Sequence, residues 1–94
     1  STCALPEELA LLREAQSALD QGETARSLAA LEQHAARCPN GALAQERAAA
    51  RVLALCQGGR TTEGLSELTA FKASAPRSPH LRRLEAACSP KSPP

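Results

Sequence analysis

Small and apolar residues recur along this chain at intervals of three and four. The segment that begins at residue 22 is repeated 37 positions later, beginning at residue 59. Intervals of three and four indicate helices. A fixed period between about 20 and 50 residues indicates stacked repeats, in which each unit buries its apolar face on its neighbour. The positions that the two copies share are Gly22, Leu28, Leu31 and Pro39 in the first and Gly59, Leu65, Leu68 and Pro76 in the second.

Turn and cap residues divide the chain into five predicted helices. Helix one begins with a proline at its first position, Pro6, and ends at Gly22, because glycine accepts the left-handed backbone that closes a helix. Helix two covers residues 24–37, and helix three follows a cap at Asn40 and ends at the glycines 58–59. Helix four runs from a cap at residue 61 or 62 to residue 74, and helix five runs from residues 78–79 through residue 87. Ser, Thr and Asn are the usual N-caps.

Each predicted helix has one apolar face. The expected buried positions are Leu9, Leu12, Ala15 or Gln16, and Leu19 in helix one; Leu28, Leu31, Ala35 and Cys38 in helix two; Ala44, Ala48, Val52 and Leu55 in helix three; Leu65, Leu68, Phe71 and Ala75 in helix four; and Leu81, Leu84 and Ala87 in helix five. His34 aligns with Phe71, so its ring is expected inside. Glu7 and Glu8 are expected to be surface charges of a first helical turn, and His80 a surface residue.

Composition narrows the function classes. Of the 94 residues 43% are hydrophobic, mostly Ala and Leu, and the net charge is only +1. We expect no nucleic-acid partner, because the chain has no basic excess and Phe71 is its single aromatic residue. No apolar run approaches the roughly 20 residues that cross a bilayer. We therefore expect no membrane insertion.

The sequence predicts one helical domain at residues 3–88 and a Pro/Ser-rich tail or linker at residues 89–94. No methionine occurs, not even at position 1, so we expect a processed chain or a piece of a longer protein. No set of nucleophile, base and orienting group converges on one helix face, and we expect no enzyme and no cofactor. His34, Cys38 and Cys3 would supply three metal ligands, one short of a closed zinc site, so no metal is expected.

The pattern of glycine, a small residue, and Leu-x-x-Leu with a following proline resembles tetratricopeptide repeats, in the longer-period variety of bacterial envelope proteins. Ser27 and Gly64 are the small residues of the two copies. The resemblance covers residues 5–88. It implies two antiparallel helix hairpins with a C-terminal capping helix, forming a scaffold that binds other proteins.

This hairpin arrangement predicts how the four cysteines pair. Cys3 precedes helix one and Cys38 ends helix two, so both lie at one end of an antiparallel hairpin. Cys56 and Cys88 end helices three and five, which run nearly parallel. The predicted disulfides are Cys3–Cys38 and Cys56–Cys88, one of three connectivities, and they imply an oxidising compartment such as a periplasm. Four buried thiols in a cytoplasmic protein are the alternative.

The resemblance implies a partner-binding face on helices one, three and five. The residues that it assigns to this face are Leu12, Gln16, Asp20, Glu46, Ala49, Leu53, Gln57 and Arg83. Leu53 is either an exposed anchor for a partner helix or segment, or a core residue under a neighbouring helix. The expected function is protein binding in a larger bacterial envelope protein or a membrane-anchored, anti-sigma-like regulator. The alternative is self-association of copies through Phe71 and Leu53.

Overall fold

The computed structural model describes residues 3–90. Within that range the chain forms five α-helices: α1 (Leu5–Asp20), α2 (Thr24–Arg37), α3 (Ala44–Gln57), α4 (Thr61–Ser74) and α5 (Leu81–Cys88). This confirms the all-α fold and the number and order of the predicted helices. Residues 91–94 of the predicted tail lie outside the described range.

The helices form antiparallel hairpins in two layers. α1 packs on α2 and α3 packs on α4, while α3 also contacts α1 on one side and α5 on the other. In residues 3–90 no Cα atom of α2 lies within 8 Å of a Cα atom of α4. One layer is therefore the row α1, α3, α5, and the other consists of α2 and α4 with a gap between them.

Two identical turns mark the 37-residue period in the backbone. Gly22 and Gly59 have φ of 73° and 85°, the left-handed conformation that glycine adopts without a steric penalty. After each glycine the next amide donates back into the helix: Glu23 N to Ala18 O at 2.8 Å, and Arg60 N to Leu55 O at 2.8 Å. These are Schellman turns, which satisfy the last carbonyls of α1 and α3. The predicted helix ends at both glycines are confirmed.

The repeat continues through the second loop of each unit. α2 ends with Cys38 N donating to His34 O at 2.7 Å, and α4 ends with Ala75 N donating to Phe71 O at 2.8 Å. Both loops then return to the α1–α3–α5 layer, and the first residues of α3 and α5 are again 37 positions apart. α5 therefore stands where a third repeat's first helix would stand, which agrees with its predicted capping position.

The core is thin because alanines let the helices approach closely. One cluster joins α3, α4 and α5 around Leu53, Phe71 and Leu84. A second joins α1, α2 and α3 around Leu31 and Leu55. Gly64 is also required for close approach, since a Cβ there would overlap the Cys56 sulfur.

Three local predictions are wrong. α3 begins at Ala44, preceded by Leu43, so Asn40 is not its cap, and α4 begins at Thr61 itself, without a side-chain cap hydrogen bond. α5 begins at Leu81, two residues beyond Pro79, and Ser78 accepts a hydrogen bond from the His80 amide in the preceding turn. In each case the conformation of the connecting loop determines the first residue of the helix. The residue types that favour N-caps do not predict this conformation by themselves.

Two predicted core positions are also exposed. Ala35 faces solvent, and Leu65 is 45% exposed although its counterpart Leu28 is 6% exposed. Leu28 shares its cluster with Ala54 and Leu55 in the second half of α3. α5 ends at Cys88, before the corresponding positions 91 and 92. The described part of α5 is thus too short to cover Leu65.

Candidate functional site

Two disulfides tie the helix ends together. Cys3 is bonded to Cys38 with a Cα–Cα distance of 5.2 Å, and Cys56 is bonded to Cys88 with a Cα–Cα distance of 5.1 Å. No cysteine is free. The predicted pairing is confirmed. The first bridge closes the open end of the α1/α2 hairpin, and the second fixes α5 to the end of α3.

A buried polar network lies beside the Cys3–Cys38 bridge. Glu8 is 1% exposed and His34 is 0% exposed, and His34 Nε2 lies 3.0 Å from Glu8 Oε1. Glu8 also accepts hydrogen bonds from the amides of Leu43 at 3.0 Å and Ala42 at 3.2 Å. The prediction that Glu8 is a surface charge is wrong, because the loop after α2 folds over the first turn of α1. Its neighbour Glu7 is exposed, as predicted.

The hydrogen bonds define the state of each group in this network. Arg47 Nη1 lies 3.0 Å from His34 Nδ1, and because a guanidinium can only donate, Nδ1 must accept. The ring proton is then on Nε2, where it is donated to Glu8. The amide hydrogen bond from Leu43 lowers the pKa of Glu8 against the opposing effect of burial, with further help from His34 and Ala42. Glu8 is thus held as a carboxylate.

Arg47 and Gly41 complete this site. Arg47 also donates to the carbonyl oxygens of Cys38 at 3.1 Å and Pro39 at 3.4 Å, so it ties the loop to the histidine. Gly41 lies against the carboxylate of Glu8, where a Cβ would overlap the Glu8 oxygens. A glycine is required here by close approach, whatever its backbone angles.

The second unit has the same geometry with apolar side chains. His34 and Arg47 correspond to Phe71 and Leu84 at the 37-residue spacing, and both of these are buried in one cluster. The prediction that His34 is a packed interior ring is confirmed. The first hairpin therefore has a polar network where the second has an apolar core, and the second hairpin shows that apolar side chains are sufficient to hold this packing together.

This network also brings metal-binding side chains together. Ligand atoms of Glu8, His34 and Cys38 all lie within 4.8 Å of one another, and all three residues are buried. Glu8 supplies the further ligand that the sequence did not reveal beside His34, Cys38 and Cys3. In the disulfide form the Cys38 sulfur is bonded to Cys3, so it offers no thiolate.

The eight predicted partner-binding residues do not form one exposed patch. Ala49 and Leu53 are 1% and 3% exposed, so Leu53 is a core residue and not an anchor. Leu12 is half-buried against the α1–α2–α3 cluster, and Glu46 is half-buried, 4.0 Å from His80. The others, Gln16, Asp20, Gln57 and Arg83, are exposed. Gln16 donates to Asp20 at 2.8 Å.

The two residues predicted to mediate self-association, Phe71 and Leu53, are also buried. Phe71 is 4% exposed and Leu53 is 3% exposed. Neither side chain offers a large exposed surface for a second copy.

A cleft on the opposite layer was not predicted. It lies between α2 and α4 and has α3 as its floor, with two adjoining hollows of about 360 and 340 Å³ that share Ala48 and Glu67. Its remaining lining residues are Leu31, Glu32, Ala35, Arg47, Arg51, Ala70, Phe71 and Ser74. Arg51 Nε donates to both carboxylate oxygens of Glu67 at 2.9 Å. The exposure of Ala35, unexpected for its stripe, arises because α4 does not reach α2.

No helix in residues 3–90 is both long enough and apolar enough to cross a membrane. Comparisons with protein-family models, curated proteins and solved structures find no match to this chain.

Proposed function

We propose that this chain is a protein-binding module of the tetratricopeptide type, without catalysis of its own, whose α2/α4 cleft holds a segment of a partner. The observation that carries the proposal is the cleft itself. No Cα atoms of α2 and α4 in residues 3–90 come within 8 Å of each other, and the two helices leave a channel whose walls carry apolar side chains.

The lining suits a peptide. The apolar surface comes mainly from alanines on all three helices, among them Ala35, Ala48 and Ala70, and Phe71 also lines it. Small side chains leave room for the side chains of an extended or helical segment. The Arg51–Glu67 pair, with side chains 32% and 36% exposed, offers hydrogen bonds at the centre. Such a mixture of apolar wall and few polar groups is common in ligand sites.

The expected setting is extracytoplasmic, as part of a larger bacterial envelope or regulatory protein. Two disulfides support an oxidising compartment, because disulfides persist there and are rare in the cytosol. The disulfides also fix the helix ends of this small alanine-rich domain. A partner segment would therefore bind without a rearrangement of the domain.

Peptides selected from a displayed random library on the folded, oxidised chain test this proposal. The Kd of a selected peptide is then measured for the wild type and for Ala48→Glu, which places a carboxylate on the cleft floor. We expect at least a tenfold weaker Kd, since a larger, charged side chain then occupies the floor where the apolar face of the ligand would lie. Ala29→Glu is the matched control, on the exposed side of α2.

Circular dichroism verifies that both variants keep their helices. A library that yields no binder, or a peptide that binds Ala48→Glu as tightly as the wild type and Ala29→Glu, would remove the cleft as the binding site.

A further inference from the structure

The polar network at the Cys3–Cys38 bridge holds four side chains of the kind that bind zinc. We propose that the reduced chain binds one Zn²⁺ through Cys3, Cys38, His34 and Glu8. The metal then ties the start of α1 to the end of α2, as the disulfide does in the oxidised chain. None of these four ligands lines the α2/α4 cleft, although Arg47 lies between the two sites, and zinc binding does not depend on peptide binding in the cleft.

The distances fit a tetrahedral ion. Zinc lies about 2.0–2.3 Å from nitrogen, oxygen and sulfur ligands, which places the ligand atoms roughly 3–4 Å from each other. Glu8 Oε1 and His34 Nε2 are 3.0 Å apart, and Glu8, His34 and Cys38 each have a ligand atom within 4.8 Å of those of the other two. Cys3 precedes α1, so its sulfur can separate from Cys38 without disturbing a helix.

The surroundings provide both a dry site and an approach route. Glu8, His34 and Cys38 are each at most 2% exposed. A hollow of about 400 Å³ opens beside them, and its lining includes Cys3, Glu8, Cys38 and Gly41. Buried ligands with an adjoining path to solvent are what a new metal site needs.

The redox step requires a reductant such as a dithiol, which gives two electrons and two protons to the disulfide and is itself oxidised to a disulfide. Zinc then replaces the protons of both thiols. The ring proton of His34 leaves Nε2 and a proton occupies Nδ1, so the ring stays neutral. Each zinc ion therefore displaces two protons overall.

Charge also balances at this site. Two thiolates and one carboxylate with Zn²⁺ carry a net charge of −1, and Arg47 supplies the opposite charge beside them. Arg47 gives up its hydrogen bond to Nδ1 and keeps the carbonyl oxygens of Cys38 and Pro39, which it already contacts. Groups just outside the ligands, such as Arg47 here, orient the ligands of a metal site and tune the metal.

The other bridge is an internal control. In residues 3–90 the only group of three or more metal-binding side chains is the one that contains Glu8, His34 and Cys38. Cys56 and Cys88 have no such neighbours. Reduction of the Cys56–Cys88 bridge should give two thiols but should not create a zinc site.

Cobalt binding tests the proposal in two double variants that are reduced with a phosphine and desalted without oxygen. Cys56→Ser/Cys88→Ser keeps the proposed site, and we expect one Co²⁺ per chain, with the absorption bands of tetrahedral thiolate coordination and displacement by Zn²⁺. Cys3→Ser/Cys38→Ser should bind no Co²⁺ and should show none of these absorption bands. Equal binding by the two variants, or none by either, would overturn the proposal.

Single substitutions in the reduced wild type separate this site from thiols of an unfolded chain. Glu8→Gln and His34→Gln should each weaken zinc binding at least tenfold, since even indirect partners of a metal site are worth about 10–100-fold. Glu7→Gln is the matched control and should bind as the wild type does. Circular dichroism must show that the zinc-bound chain is helical. Equal affinities for all three, or binding without helix, would contradict the assignment.

Zinc should also shift the redox balance of one bridge alone. At a zinc concentration of 100 times its Kd, the ratio of thiol to disulfide for Cys3 and Cys38 should rise about 100-fold at a fixed dithiol potential. The ratio for Cys56 and Cys88 should not change. Alkylation and peptide mapping measure both ratios, and an equal shift at the two bridges would count against the site.

Discussion

At the scale of single residues, Glu8 connects parts of the chain that are far apart in sequence. Its carboxylate joins α1 to His34 of α2 and to the amides of Ala42 and Leu43 in the loop before α3. A buried carboxylate is costly unless hydrogen bonds satisfy it. Because three donors do so here, Glu8 stabilises the folded chain as an anion.

We predict that Glu8→Gln lowers the melting temperature near neutral pH. A glutamine has one oxygen for three donors, and its own NH₂ group would face an N–H. The pKa of Glu8 is lower in the folded chain than in the unfolded chain. The stabilisation is therefore fully present above the unfolded pKa, about 4.3, and is lost as the pH falls through the folded pKa.

Thermal unfolding of the wild type and Glu8→Gln between about pH 7 and pH 3 measures this effect. The difference in melting temperature should shrink at the acid end. Glu7→Gln is the control, since exposed substitutions usually change stability by no more than about 0.5 kcal/mol. A difference that stays constant with pH would show that Glu8 does not act through its charge.

At the scale of the helices and turns, the two Schellman turns fix the direction of α2 and α4. At Gly59 φ is 85° and a Cβ would meet no atom within 4 Å. The backbone angle is then the one feature that demands glycine. At Gly64 the reason for glycine is steric, because the Cys56 sulfur already occupies the space that a Cβ at position 64 would need.

We predict that Gly59→Ala destabilises the fold by about 1–2 kcal/mol, the cost of a left-handed conformation for a residue with a Cβ. Gly59→Asn should cost less, since asparagine adopts this conformation more readily. Urea unfolding of the three proteins gives the free energies. Equal losses for alanine and asparagine would indicate a steric cause instead of a conformational one.

The packing of the helices explains why some positions on the predicted apolar faces are exposed. The repeat predicts equal burial for Leu28 and Leu65, yet Leu28 is covered and Leu65 is not. Burial depends on the helix that packs above, and α5 has 8 residues where α3 has 14. Periodicity indicates which face of a helix is apolar, but the next helix decides whether that face is covered.

At the scale of the whole molecule, the disulfides compensate for a thin core. Each closes a loop of more than thirty residues, with sequence separations of 35 and 32. Cross-linking such loops restricts the unfolded chain, and the chain-entropy estimate is roughly 3–4 kcal/mol for each bridge. This is a large share of the stability of a small domain.

We predict that Cys56→Ala/Cys88→Ala lowers the free energy of unfolding by about 3–4 kcal/mol, and that helix content is kept in the absence of denaturant. Guanidinium unfolding, followed by circular dichroism, measures both. A loss below about 1 kcal/mol would mean that the helices hold α5 in place without the bridge.

The sequence by itself determined the five helices, the left-handed glycines, the hairpin order and the pairing of the cysteines. Each of these depends on local signals or on the repeat, which carry their information along the chain. Tertiary structure alone decided that Glu8 is buried and Glu7 is not, that Leu53 is core, and that a cleft separates α2 from α4. These features depend on which loop or helix lies across a given side chain, and no periodic pattern encodes that. The candidate metal ligands illustrate the difference: three of the four were apparent in the sequence, and only the packing of the loop after α2 over α1 added Glu8.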